Sequence, residues 1–199
     1  MRRYVLIMLG CYAVWVGLYY LTGWVGEVRG EVFSPALPVD ARFPFVPQAM
    51  YVYLLAYVVV LGLYAVRRSA AFLNRAYLAF ISMNLVAFVL FALFPSQGPA
   101  RSFPGADSDV MLQLMYSVDA RWNAFPSLHV ANPWLVSLLA LRERRVAPVS
   151  VTLLAVALAI SVSTLLIRQH YLLDVLGGFA LAVLVFSVFD RLRISDRPW

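Results

Sequence analysis

Six long apolar runs, almost without charge, alternate with short segments that carry nearly all of the charged residues. The runs cover approximately residues 4–21, 48–66, 76–94, 126–141, 149–167 and 171–189. A helix rises ~1.5 Å per residue, so runs of this length are suited to crossing ~30 Å of hydrocarbon. The pattern therefore predicts an all-α integral membrane protein, a single domain over residues 1–199 that forms a bundle of six transmembrane helices.

The longest connection, residues 95–125, contains a short amphipathic segment that Asp109 and Asp119 bracket. Its apolar side chains recur at helical spacing and are Val110, Met111, Leu114, Met115 and Val118. Helices of this kind lie in the membrane interface with their apolar face towards the lipid. We therefore predict a short interfacial helix over residues 107–118, before the fourth transmembrane helix.

Composition supports the membrane assignment. Hydrophobic residues make up 63% of the chain and the mean hydropathy is +0.80, whereas a soluble domain is only about half apolar. The net charge of +6 does not indicate a nucleic-acid-binding protein, because the arginines gather at the ends of apolar runs, where membrane orientation explains them. The single cysteine, Cys11, lies inside the first run, so no intramolecular disulfide can form.

Arginine supplies all sixteen basic residues, and its distribution predicts an orientation. With six crossings, the arginines on the side opposite the termini are Arg29, Arg42, Arg101, Arg121 and Arg168. The remaining eleven share the side of the termini, which the positive-inside bias makes cytoplasmic. We therefore expect a plasma membrane protein, of bacterial type, whose functional face is periplasmic or extracellular.

His129 and His170 are the only two histidines, and each stands at the start of an apolar run. Six crossings bring both starts to the outer face. Asp174 follows His170 by four residues, so on a helix the two side chains share a face, about 6 Å apart along the axis. A carboxylate that holds one ring nitrogen leaves the other nitrogen to act as a nucleophile.

The starts of the fourth and sixth helices are also suited to binding an anion. Their first turns present unpaired backbone N–H groups and the positive ends of the helix dipoles. Arg101 and Arg168 lie in the flanking connections and can each clamp phosphate oxygens through two parallel hydrogen bonds. Together with the two histidines and Asp174, these features predict a site for phosphoryl chemistry.

Three stretches of the chain resemble signature motifs of the type 2 phosphatidic acid phosphatase superfamily. They are Phe94-Pro-Ser-Gln-Gly-Pro-Ala-Arg101, Phe125-Pro-Ser-Leu-His129, and Ser163-Thr164 with His170-Tyr-Leu-Leu-Asp174-Val-Leu-Gly-Gly178. The leucine before the first histidine and the Ser-Thr pair are most similar to the inositol phosphorylceramide synthase (aureobasidin-resistance) branch. The stretch Phe43-Pro-Phe-Val-Pro47 also resembles that branch, and the likeness extends over most of the chain from about residue 40.

The resemblance implies a six-helix membrane fold and metal-independent phosphoryl transfer through a phosphohistidine, with no cofactor. By position, His170 would be the nucleophile, Asp174 its orienting carboxylate, and His129 the acid that protonates the leaving oxygen. Arg101 would bind the phosphate, helped by the backbone around Ser127. The implied substrate is a lipid phosphate or phosphodiester of the membrane, with a lipid alcohol as the acceptor if the reaction is a transfer.

The chain departs from the family pattern in the phosphate site. The lysine that opens the first motif in ordinary members is absent, and the arginine six residues before the nucleophile is Thr164 here. Arg168, two residues before the nucleophile, is the candidate replacement, and both positions are included in the predicted phosphate site. Fewer cations around the phosphate would favour a singly charged phosphodiester as the donor, and hence head-group transfer over monoester hydrolysis.

The sequence leaves three questions of function open. Water or a lipid alcohol could resolve the phosphoenzyme, and nothing in the chain identifies the acceptor. Two histidines in a membrane protein are also compatible with a bis-histidine haem or metal protein. A third class is a non-enzymatic channel or scaffold, for which both histidines would be dispensable.

Overall fold

The computed structural model describes residues 2–30, 32–66, 70–101, 105, 109–119, 121–142 and 147–191. The α-helices in this part are α1 (Arg2–Arg29), α2 (Met50–Tyr53), α3 (Gly62–Val66), α4 (Ala70–Leu93), α5 (Val110–Val118), α6 (Leu128–Arg142), α7 (Ala147–Leu166) and α8 (Leu172–Arg191). The predicted all-α class is confirmed, since the described residues contain only isolated bridges in place of strands. Six of the eleven arginines assigned above to the cytoplasmic side lie outside the described part: Arg67, Arg68, Arg144, Arg145, Arg193 and Arg197. The first two residues of the short helix predicted over residues 107–118 also lie outside it.

Three helices in the described part are long and apolar enough to cross a membrane, and the chain is an integral membrane protein. They span Ala71–Leu93, Pro148–Leu166 and Leu172–Arg191. The sequence pattern predicted six such helices, so the described residues supply fewer uninterrupted spans than expected. Two of the differences have a clear structural basis, in the second and fourth apolar runs.

The second apolar run is not one helix. Its ends form the short helices α2 and α3, and between them the chain winds into the 3-10 turns Leu54–Tyr57 and Val59–Leu61. The break lies at Val58, whose N–H donates to the carbonyl of Leu55, three residues back. Three consecutive valines crowd the preceding helical turn because their side chains branch at Cβ. The prediction of one continuous helix over residues 48–66 was therefore wrong.

The fourth run forms α6, which begins two residues later than predicted and is short for a membrane span. The helix begins at Leu128, two residues after Pro126, and its 15 residues extend over about 22 Å. This length falls short of the ~30 Å hydrocarbon core. The preceding segment is held instead in an extended loop, and the backbone N–H of Ser127 donates to the carbonyl of Asp174 at 3.0 Å.

The predicted short helix is present as α5. Asp109 is its N-cap, and its carboxylate accepts from the N–H groups of Met111 and Leu112 at 2.9 and 3.0 Å. The helix packs inward through Leu112, which is fully buried against Tyr53 and its neighbours. Its outer face remains exposed, as expected for an amphipathic helix.

Tyr116 fixes the second turn of α5 to the end of α7. Burial raises the pKa of its hydroxyl to about 12, an effect that Arg101 and Arg168 partly oppose. The hydroxyl therefore stays protonated at neutral pH and donates to the carbonyl of Ile167. This bond places the C-terminal end of α5, and the loop after it, beside the loop that joins α7 to α8.

Polar side chains link α1, α4 and α6 in the middle of the bundle. The indole N–H of Trp15 donates to Asn84 Oδ1 at 2.9 Å, and the Asn84 amide donates to Asn132 Oδ1 at 3.0 Å. Such bonds between helices in a membrane contribute on the order of 0.6 kcal/mol each. They fix how the three helices are rotated about their axes while the surrounding core is apolar.

The starts of α6 and α8 approach each other closely because Gly178 has no side chain. A Cβ atom on Gly178 would overlap the carbonyl oxygen of Ser127 and would lie 3.1 Å from Val130 Cβ. This close approach brings the loop before α6 against the first turns of α8. His129 is in the first turn of α6 and His170 lies two residues before α8, so the packing at Gly178 determines how near they come.

Gly178→Ala should therefore lower the midpoint of thermal unfolding in detergent. Overpacking of this kind typically costs ~1–3 kcal/mol, although alanine is otherwise better than glycine in a helix by up to ~1 kcal/mol. Gly17→Ala in α1 is the matched control, because nothing lies within 4 Å of its added Cβ. Equal midpoints for the two variants would contradict the role given to Gly178.

Candidate active site

The loop before α6 is held in place by the segment that follows α4. Ser96 and the chain near Asn123 form a parallel bridge, in which Ala124 N–H donates to the Ser96 carbonyl at 3.3 Å. The Ser96 hydroxyl oxygen accepts from the N–H of Phe125 at 2.6 Å. These bonds connect the first and second sequence motifs, and they position His129 at the first turn of α6.

The loop between α7 and α8 turns tightly around the carbonyl of Thr164. That carbonyl accepts from the N–H groups of Gln169 and His170 at 2.9 and 3.3 Å. Arg168 adopts a positive φ of 52°, which turns the chain back towards α8. Asp40 then accepts from the N–H of Leu172 at 2.8 Å, so a carboxylate caps the N-terminus of α8.

His170 lies between a carboxylate and a second imidazole. Its Nδ1 is 3.4 Å from Asp174 Oδ2, and its Nε2 is 3.4 Å from Nδ1 of His129. Asp174 is fully buried, and its Oδ2 also accepts from the backbone N–H of Tyr171 at 2.9 Å. Because the carboxylate occupies the Nδ1 side, Nε2 is the ring nitrogen that faces His129.

Two tyrosines from the interrupted second run hold the far side of His129. The Tyr53 and Tyr57 hydroxyls lie 2.9 and 3.1 Å from His129 Nε2. A hydroxyl both donates and accepts, so these groups can hydrogen-bond either the neutral or the protonated imidazole. The other ring nitrogen of His129, Nδ1, faces His170. The sequence analysis missed both tyrosines, although their spacing of four residues in an apolar run was a usable signal.

Arg101 reaches the cavity that both histidines line. Its guanidinium donates to the carbonyls of Tyr116 and Asp119 at 2.5 and 2.9 Å, and it lies 3.4 Å from the Asp119 carboxylate. It also stacks over the Tyr116 ring, with Cζ 5.1 Å from the ring centroid. The cation predicted for the phosphate site is therefore close to the histidines, and the end of α5 orients it.

The remaining predicted phosphate ligands do not line this cavity. Ser127 is fully buried, and its hydroxyl has no hydrogen-bond partner among the described residues. The Thr164 hydroxyl donates to the carbonyl of Ser161 at 2.8 Å. Arg168 lines a second cavity of about 400 Å³, and His170 also lines that cavity. Direct phosphate contact by these three residues stays a prediction.

Asp119 and Gln169 also line the cavity, and the sequence analysis did not include them in the site. The Asp119 carboxylate accepts from the Gln169 side-chain amide and from the Tyr19 hydroxyl. Its side chain is 7% exposed. Asp119 was interpreted only as the residue that ends α5, because sequence spacing gives no indication that this end meets the α7–α8 loop.

The described residues hold no group of three or more His, Cys, Asp and Glu side chains that is arranged to bind a metal ion. What they do bring together is a carboxylate, two imidazoles and a guanidinium. Such a set can supply a nucleophile, a proton donor and an anion-binding group.

Histidine resonances test this geometry directly, because the chain has only two histidines. In nitrogen-15 histidine-labelled protein, Asp174→Asn should shift the ring signals of His170 most. Combined Tyr53→Phe and Tyr57→Phe should instead shift those of His129 most. Single histidine-to-glutamine variants assign the two sets. A larger shift at the other histidine in either experiment would contradict the contacts described here.

Comparison with known proteins gives one match. The family model of the PAP2 superfamily matches residues 38–188, which is well over half of the chain. No curated protein and no solved structure matches it. The matched region includes both histidines, the carboxylate at Asp174, Arg101 and the two tyrosines, so it covers the residues of the site described here. The chain belongs to the PAP2 superfamily.

Proposed function

We propose that this membrane protein transfers the phosphoryl group of a lipid phosphate or phosphodiester through a phosphohistidine at His170. Membership of the PAP2 superfamily supports a phosphatase-type function on lipid phosphates. The observation that carries the proposal is the position of His170, with Asp174 at Nδ1 and His129 at Nε2. A carboxylate, a nucleophile and a proton donor then stand in the order that covalent catalysis requires.

In the first step, Nε2 of His170 attacks phosphorus while the bond to the leaving oxygen breaks. His129 gives the leaving oxygen a proton from Nδ1, and the Tyr53 and Tyr57 hydroxyls steady its other nitrogen. Asp174 stabilises the positive charge that the His170 ring acquires. In the second step, His129 removes a proton from water or an alcohol, whose oxygen takes the phosphoryl group and frees His170.

The approach of the substrate is set by the gap between the rings. The facing nitrogens of His129 and His170 are only 3.4 Å apart, and Arg101 lines the cavity that both rings share, so we place the phosphorus on that side. The Arg101 guanidinium has five N–H donors, more than its present contacts require. It can therefore hold a phosphate oxygen while its bonds to the end of α5 keep it oriented.

We further propose head-group transfer as the reaction, with a phosphodiester donor and a lipid alcohol acceptor, as in inositol phosphorylceramide synthases. Thr164 stands where ordinary members have an arginine, and Arg168 does not line the cavity that Arg101 shares with both histidines. A site with fewer cations is better suited to a phosphodiester, which carries one negative charge, than to a doubly charged monoester.

An assay with lipid monoesters and diesters, with and without alcohols, should measure both free phosphate and transferred head group. If no substrate gives a product beyond that of His170→Ala, the proposed function is wrong.

The two histidines should differ in how they depend on the leaving group. His129→Ala should lose about 10²–10⁴-fold on a lipid substrate, the usual contribution of a general acid. It should recover much of this loss on a nitrophenyl phosphate, whose leaving group needs no proton. His170→Ala should be inactive on both, because no intermediate can form. Equal losses for His129→Ala on the two substrates would exclude it as the acid.

We propose that catalysis needs no metal ion. Activity should survive chelator, and vanadate should inhibit it by mimicking pentacoordinate phosphorus. The purified protein should also be colourless, whereas a haem protein would be coloured. Restoration of a chelator-inhibited enzyme by magnesium would contradict this part of the proposal.

We also propose six membrane crossings, with both termini cytoplasmic and the site at the outer face of a bacterial plasma membrane. The interrupted second run supports this count, because its nineteen residues extend over about 28–38 Å at ~1.5–2.0 Å per residue. The 28 residues of α1 are also long enough to cross.

Cysteine labelling tests this orientation. In a Cys11→Ser background, cysteines placed at Gly105 and at Arg144 should react with an impermeant thiol reagent from opposite sides. Residue 144 follows α6 in the sequence, and Gly105 precedes α5. Labelling of both cysteines from the same side would contradict the six-crossing topology.

A further inference from the structure

A carboxylate occupies the cavity where the proposed reaction needs a phosphate. Asp119 Oδ2 accepts from the Gln169 side-chain amide and lies 3.4 Å from the Arg101 guanidinium. Its Oδ1 accepts from the Tyr19 hydroxyl. Guanidinium, amide and hydroxyl donors are also the groups that bind phosphate oxygens. Asp119 therefore occupies a set of anion-binding donors in the cavity that both histidines line.

The position of Asp119 is fixed by its backbone as well as its side chain. Its N–H donates to the carbonyl of Met115 at 3.0 Å, and its own carbonyl accepts from Arg101 at 2.9 Å. The side chain is 7% exposed, so water screens its charge poorly. A phosphate bound to Arg101 would therefore lie beside a fixed carboxylate in a weakly screened site.

The charges that line this cavity favour a singly charged phosphate. Among the described lining residues, the charged groups are Arg101, Arg121 and Asp119. A phosphate monoester carries about −1.5 to −2 at neutral pH, whereas a diester carries only one negative charge. Repulsion by a carboxylate a few ångströms away grows in proportion to the charge of the substrate. Asp119 therefore penalises the monoester more than the diester.

We propose that Asp119 is a specificity-determining residue that selects singly charged phosphodiesters over doubly charged phosphomonoesters. The proposal rests on the proposed function, since it concerns the substrate of the same site. It assigns Asp119 no part in bond making or proton transfer.

Phosphatidic acid and phosphatidylmethanol are a suitable pair of probes. They differ by one methyl group, which removes the second negative charge, and release of diacylglycerol measures both reactions. Asp119→Asn keeps the size of the side chain and removes its charge. The ratio of kcat/KM for the monoester to that for the diester should rise at least about tenfold in this variant, because the repulsion acts in a poorly screened site.

Asp109→Asn is the matched control. Asp109 caps the other end of α5 and does not line the cavity, so this change removes one negative charge from the same helix without touching the site. The ratio should stay at the wild-type value. If the ratio rose as much in Asp109→Asn as in Asp119→Asn, the effect would come from the overall charge of the protein surface, and the proposal would be overturned.

The wild-type protein provides a second measurement that does not depend on how a variant folds. The second pKa of a phosphate monoester is about 6, so phosphatidic acid becomes singly charged as the pH falls from neutral to about 5. The monoester-to-diester ratio should therefore rise over this interval in the wild type. A ratio that stays constant or falls would overturn the proposal, since effects of pH on the enzyme itself act on both substrates and cancel in the ratio.

The results separate this inference from the proposed function. If the wild type turns over neither lipid, or if His170→Ala keeps its activity, the proposed function fails. If the wild type is active through His170 but Asp119→Asn slows both lipids equally, Asp119 only holds Arg101 in place and the specificity role fails.

Discussion

The site depends on the close contact between the start of α6 and the first turns of α8. At this contact the Ser127 N–H donates to the Asp174 carbonyl at 3.0 Å, and Gly178 leaves no room for a side chain. One backbone bond and one missing Cβ thus join the loop that precedes His129 to the helix that carries Asp174. Without this approach, the imidazoles of His129 and His170 would not meet at 3.4 Å. A proton donor and a nucleophile can act on one phosphorus only if they are this close.

Irregular backbone surrounds this contact and supplies the groups that the regular helices do not. The interruption at Val58 lies next to Tyr53 and Tyr57, whose hydroxyls both reach His129 Nε2. The tight turn at Arg168 carries His170 back towards α6. Non-helical backbone at membrane depth is tolerated where it is buried in protein or lines a cavity. The departures from helix therefore occur where the chain contributes side chains to the candidate site.

Sequence periodicity predicted the helical class, the short helix α5 and the shared face of His170 and Asp174, because each depends on spacing along one segment. It did not predict which segments touch. Periodicity registers only apolar character, so it did not distinguish the valine-rich break at Val58 from continuous helix. The cavity position of Asp119 depends on the end of α5 meeting the α7–α8 loop. The expectation that Thr164 binds phosphate came from motif position alone, whereas in the structure its hydroxyl is bonded to Ser161.

The most direct test of the account is to trap the phosphoenzyme and locate the label. Brief reaction with a substrate labelled at phosphorus, followed by denaturation in base, should leave one phosphate that is stable to base and labile to acid. Peptide mapping should place it on His170, and it should be absent from His170→Ala. A label on His129 would reverse the roles of the two histidines. No label at any time, together with inversion of configuration at phosphorus, would contradict the covalent mechanism.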